Sequence, residues 1–94
     1  MNSTITLEKL KKYFSITQEA LSKVKDNLDG SKEAEDFLDM SQRYFDDANY
    51  FYKKKNDLVL AFAALNYAHG WLDAGARIGL FKVNDSRLFT VDKV

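Results

Sequence analysis

The sequence predicts an all-α fold, an antiparallel three-helix bundle with an extended C-terminal segment, and three observations carry that prediction. Apolar residues recur at alternating spacings of three and four in three successive segments, the period of a helix with one buried face. Two short stretches, Asp29-Gly30-Ser31 and Asn56-Asp57, divide the segments with residues that end and begin helices. The last stretch, VNDSRLFTVDKV, has no helical period.

The elements follow in order. The first helix, about residues 5–28, has its stripe at Leu7, Leu10, Phe14, Thr17, Leu21, Val24 and Leu28, with Thr4 or Thr6 able to cap its first turn. Gly30 suits the left-handed conformation after a helix, and Ser31 suits the cap of the next. The second helix, about 31–55, places Ala34, Phe37, Leu38, Ser41, Tyr44, Phe45, Ala48, Phe51 and Tyr52 on one face. Its acids crowd the first turns and Lys53, Lys54 and Lys55 close the last, an order that complements the helix dipole. Asn56 or Asp57 then caps a third helix, about 57–79. Leu88, Phe89, Val91 and Val94 make the segment 80–94 too apolar for a free tail, so it should lie over the bundle or over a neighbouring chain.

Ninety-four residues bound this to a single helical domain, 1–94, with 46% apolar content for its core. With no cysteine there is neither a disulfide framework nor a thiolate metal site, which suits a cytoplasmic location. The longest apolar run, LVLAFAAL at 58–65, is far short of the ~20 residues of a membrane span. The balance of 14 basic and 14 acidic residues gives no global field toward nucleic acid or anionic lipid. Locally the chain is uneven: seven acids stand against Lys32 and Arg43 in residues 29–52, between two basic segments.

The third helix holds most of the chemistry. Projected at 100° per residue, Ala61, Ala64, Ala68, Gly75 and Gly79 form a ridge of small side chains where a second helix can approach closely. Leu60, Tyr67, Trp71 and Ile78 flank the ridge on one side, and Leu58, Leu65 and Leu72 on the other. Gly79 can also stop the helix. On the opposite side Asn66, His69, Gly70, Asp73 and Arg77 form a narrow polar stripe, preceded by the apolar Val59, Phe62 and Ala63, which need cover.

Residues 44–79, YFDDANYFYKKKNDLVLAFAALNYAHGWLDAGARIG, resemble a small archaeal family, domain of unknown function 357, most specifically in YAHGWLDAGAR from Tyr67 to Arg77. The resemblance extends to the LFKV and LFTV pieces that follow. It implies a short cytosolic helical bundle of archaeal origin with no assigned activity, and it supplies no catalytic residue.

The polar stripe has a plain reading and a functional one. His69, Asp73 and Arg77 stand four residues apart, so they can form an ion-pair ladder worth about 0.2–0.5 kcal/mol per contact. Alternatively Asp73 orients His69, Arg77 binds an anion such as phosphate or carboxylate, and Gly70 gives the ligand room. A metal held by His69, Asp73 and Asp46 or Asp47 is disfavoured, because the chain has one histidine. No metal or other cofactor is assigned. No G-x-S-x-G turn, P-loop or G-x-G-x-x-G is present. Lys9, Lys11 and Lys12 beside Tyr13, and Lys53 to Lys55 beside Tyr52, could meet nucleic acid, but the acidic second helix opposes it. The sequence therefore favours a non-enzymatic assembly or protein-interaction module forming a homo-oligomer, a homodimer foremost. A small anion-binding protein or enzyme using the polar stripe is the alternative.

Overall fold

The computed structural model describes residues 4–90, in which three helices follow one another: α1 (Leu7–Lys25), α2 (Lys32–Lys55) and α3 (Leu58–Arg77). Each begins on a side chain that satisfies an otherwise orphaned amide. Thr6 Oγ1 accepts from Lys9 N at 3.1 Å, Ser31 Oγ from Ala34 N at 3.0 Å and Asp57 Oδ1 from Leu60 N at 3.0 Å. The helices are shorter at their ends than the apolar periodicity suggests. Asp26 already caps α1, and Leu28 lies beyond it in an isolated antiparallel bridge to Phe81. Asn56 is left-handed at φ 50° and closes α2, which leaves Asp57 alone as the cap of α3.

The three helices do not pack equally. The α2–α3 interface is by far the most extensive, α1 meets α3 less, and α1 meets α2 least. Small residues explain the closeness of the main pair. Ala34, Ser41 and Ala48, seven residues apart, are the buried positions of α2, while Ala61, Ala64 and Ala68 are buried on α3. The buried hydroxyl of Ser41 donates to Phe37 O at 2.8 Å, so it adds no unsatisfied group. Rings close the flanks: Phe37 stands edge-on to Trp71 at 4.9 Å, Tyr44 leans on Tyr67 at 4.5 Å, and Phe14 from α1 meets Phe45 at 5.8 Å. The extents are 37 × 28 × 16 Å.

Three expectations about α3 need correction. Leu60, Tyr67 and Ile78, assigned by period to a covered flank, are exposed, because the inward arc of α3 is already filled by its alanines and by Leu65 and Leu72. Gly75 is buried, but what approaches it is the Phe81 ring, three carbons of which would lie 2.2–2.7 Å from an added Cβ. Gly79 is no part of the packing ridge. It lies past the helix at φ 83° with open space around it, the C′ residue of a Schellman turn in which its N–H bonds Ala76 O and Leu80 N–H bonds Gly75 O. Its role as the helix stop stands.

The segment after α3 is extended only in part. Phe81 pairs with Leu28, residues 82–85 run on without regular structure, and residues 85–89 curl into a turn closed by Leu88 N and Phe89 N on Asp85 O. Phe81, Leu88 and Phe89 are buried with Leu21, Val24 and Leu72. Val91 and Val94 lie outside the described residues.

Gly75→Ala should destabilise the fold by about 1–3 kcal/mol, because the buried Phe81 ring has to shift. Gly79→Ala should cost about 1 kcal/mol through the positive φ alone. Urea unfolding of the two variants measures both.

Candidate functional site

The polar stripe of α3 is where the C-terminal segment lands. His69 Nε2 is 2.5 Å from Leu88 O, and since a carbonyl only accepts, Nε2 carries the hydrogen. His69 Nδ1 is 3.3 Å from Thr17 Oγ1 on α1, whose hydroxyl donates to it in the neutral ring. Asp73 accepts from Thr90 at both oxygens, from the backbone N at 2.8 Å and from Oγ1 at 3.3 Å. His69 Nε2 and Asp73 Oδ1 are themselves 3.8 Å apart.

Four residues along a helix rise about 6 Å, so the donor at 69 and the acceptor at 73 stand one turn apart on α3. The carbonyl of Leu88 and the amide of Thr90, where the 85–89 turn ends, meet them. An irregular segment against a helix has no ladder partner for such groups, and the stripe supplies one of each kind.

A second set of contacts ties the same segment to α1. Arg87 pairs through both terminal nitrogens with Glu19, and Lys23 Nζ bonds Asp85 Oδ2 at 2.9 Å. Asp85 Oδ1 also accepts from Arg87 N at 3.0 Å. The guanidinium of Arg87 holds the Glu19 carboxyl below its usual range, and the Lys23 ammonium does the same for Asp85. All four groups are solvent-reachable, so each pair by itself is a small contribution.

Between α1, α3 and the segment remains a hollow of about 430 Å³. Asn66, His69, Gly70 and Asp73 line it, as the stripe requires, together with Tyr13, Thr17, Ser86 and Arg87. Arg77 is not in its wall; it is exposed at the last turn of α3. The cation at the hollow is Arg87, which the sequence reading passed over because no periodicity places it. Thr17 was also missed as a polar contributor, since it sits in the apolar stripe of α1. A hydroxyl within that otherwise apolar stripe was the available signal. Asp46 and Asp47 are exposed on α2, and no three His, Asp or Glu side chains gather as a metal site among the described residues.

Gly70 is exposed, and a Cβ added there meets nothing within 4 Å. On its other side opens a second hollow of about 540 Å³, apolar apart from Asn66, walled by Phe37, Ala63, Tyr67, Trp71 and Ala74. Phe62, the other residue in need of cover, is half-buried under the Tyr13 ring at 5.2 Å, whereas Val59 and Ala63 stay exposed.

Two measurements address these contacts. Gly70→Ala should stabilise the fold by up to about 1 kcal/mol in urea unfolding, since the gain in helix propensity meets no clash. The ion pairs predict an acid-labile segment. A carboxylate with a lowered folded pKa contributes stability that is whole above its unfolded pKa and is lost as the pH falls through the folded one. Amide exchange at Leu88 to Thr90, corrected for intrinsic rates, should thus be protected at neutral pH and lose protection as the pH drops below about 4. Glu19→Gln should remove part of that dependence.

A family profile described as a protein of unknown function, DUF357, matches residues 12–81, and so takes in most of α1 as well as α2 and α3. No curated protein and no solved structure matches the chain significantly. No helix among the described residues is long and apolar enough to cross a membrane. On the extent of the match, the chain belongs to the DUF357 family.

Proposed function

We propose that the chain is a cytoplasmic, non-enzymatic interaction module that associates with a second copy of itself through the outer face of α3. The observation behind this reading is the exposure of that face: Val59 is 67% exposed, Leu60 46%, Tyr67 59% and Ile78 63%. Single exposed apolar residues need no explanation, but contiguous ones do. Here the apolar hollow beside Gly70 joins Tyr67 to Ala63, Trp71 and Ala74, so the middle of the face is continuous. By contrast His69 and Asp73 spend their hydrogen bonds on Thr17, Leu88 and Thr90, which leaves them poorly placed to act as acid and base.

A second reading rests on the polar hollow. Asn66, Gly70, Ser86 and Arg87 along its wall could receive a small anion such as phosphate or carboxylate, with His69 and Asp73 as its fixed floor. Thermal denaturation with inorganic phosphate and phosphorylated metabolites tests it, since a ligand that binds the native state raises Tm by mass action. No shift with any of them discards this reading.

Sedimentation equilibrium over a wide concentration range tests the leading reading. The wild type should associate, and Tyr67→Glu should be monomeric and still folded, losing within its own chain only the contact of the ring with Tyr44. A wild type that stays monomeric at its highest soluble concentration overturns it.

A further inference from the structure

Self-association leaves open how two copies meet, and the order of residues along the exposed face of α3 addresses that. At 100° per residue, Leu60, Ala63, Tyr67, Gly70 and Ala74 fall on one line with spacings of three, four, three and four, the seam of a coiled-coil pair. All five are exposed, and none is charged. This seam lies apart from the inward one of Ala61, Ala64 and Ala68, so α3 has one row of contacts for α2 and another that α2 does not use.

Four members of the outer row, Ala63, Tyr67, Gly70 and Ala74, are self-complementary when inverted, while Leu60 falls opposite Arg77 at the end of the helix. In an antiparallel pair each residue faces the partner residue whose number makes a constant sum with its own. With the two-fold axis between positions 68 and 69, Tyr67 faces Gly70, Ala63 faces Ala74 and Val59 faces Ile78, and each relation repeats on the other side of the axis. The largest ring meets the residue with no side chain, at the position where an added Cβ finds only open space. Small meets small one turn farther out, and aliphatic meets aliphatic at the ends. The Tyr67 ring is held at 4.5 Å by Tyr44 of its own chain, so it is positioned before any partner arrives.

We infer that two copies pair in an antiparallel, two-fold arrangement along α3, with the Tyr67 ring of each seated over Gly70 of the other; this rests on the self-association proposed above. A single face of a 20-residue helix, about 30 Å long, covers less than the ~800 Å² per partner of a standard interface. An interface of that size belongs with weak, transient associations.

The chain has no cysteine, so single cysteines report the register cleanly. Ala63→Cys and Ala74→Cys, mixed and treated with a mild oxidant, should give a cross-linked heterodimer. Neither alone should cross-link, since identical positions would stand about 16 Å apart along the axis, beyond disulfide reach. Gly70→Met should keep its fold and weaken dimerisation at least about tenfold by filling the seat of the ring. Cross-linking of either variant with itself, an associating mixture that does not cross-link, or Gly70→Met dimerising like the wild type would each overturn the register while leaving self-association in place. A wild type that sediments as a monomer at every concentration removes the association and the register together.

Discussion

The Phe81 ring pressed on the bare backbone of Gly75 governs the course of the chain after α3. The helix stops at a Schellman turn whose Leu80 and Phe81 amides both bond Gly75 O. The ring then occupies the volume a side chain at 75 would fill. This contact turns the chain back, sets Phe81 against Leu28, and aims residues 82–90 along the seam between α1 and α3. Every later contact of the segment inherits that direction: Asp85 with Lys23, Arg87 with Glu19, Leu88 with His69, Thr90 with Asp73. The apolar contact is made in a fully buried position, where neither water nor salt weakens it. The ion pairs that follow are exposed and add positioning more than stability.

Local features of the fold were legible in the sequence. The hydroxyl and carboxylate caps at Thr6, Ser31 and Asp57, the left-handed Gly30 and Gly79, and the buried alanines of α3 follow from backbone chemistry within a few residues. His69 and Asp73 do lie on one face of α3, 3.8 Å apart. What periodicity does not contain is which neighbour covers a face. α3 is apolar around most of its circumference, so its two flanks look alike in projection; only the cover given by α1 and the C-terminal segment shows that Leu65 and Leu72 are inside and Leu60, Tyr67 and Ile78 outside. Arg87 illustrates the same limit. It reaches the hollow because a residue 68 positions earlier, Glu19, holds it there, and no local signal encodes that pairing.

The fate of the polar stripe has a physical logic of its own. A histidine, an aspartate and an adjacent glycine on one helix face resemble a ligand site because they offer a donor, an acceptor and room. Backbone groups of an irregular segment need the same things. Here the segment is the first claimant: Leu88 O takes the His69 donor and Thr90 takes both Asp73 oxygens. Any further ligand would have to bind beside these bonds, or displace them together with the burial of Leu88 and Phe89. That condition favours the groups on the rim over the two ionisable residues that first draw attention.

Gly70 then separates the helix into its uses. Gly75 loses helix propensity and gains a buried aromatic contact. Gly79 and Gly30 occupy backbone conformations that other residues resist. Gly70 has neither compensation: its φ is ordinary, its surroundings are open, and an interior helix glycine costs about 1 kcal/mol relative to alanine. The proposed pairing would supply the return that the single chain lacks, through a surface approaching from outside it. Tyr67 and Trp71 both border Gly70 on its apolar side, so in that pairing the visitor would be an apolar surface able to come within van der Waals distance of the helix backbone. A flat polar partner would leave their rings half-wet and gain nothing from the missing side chain. A ring on a second helix uses both.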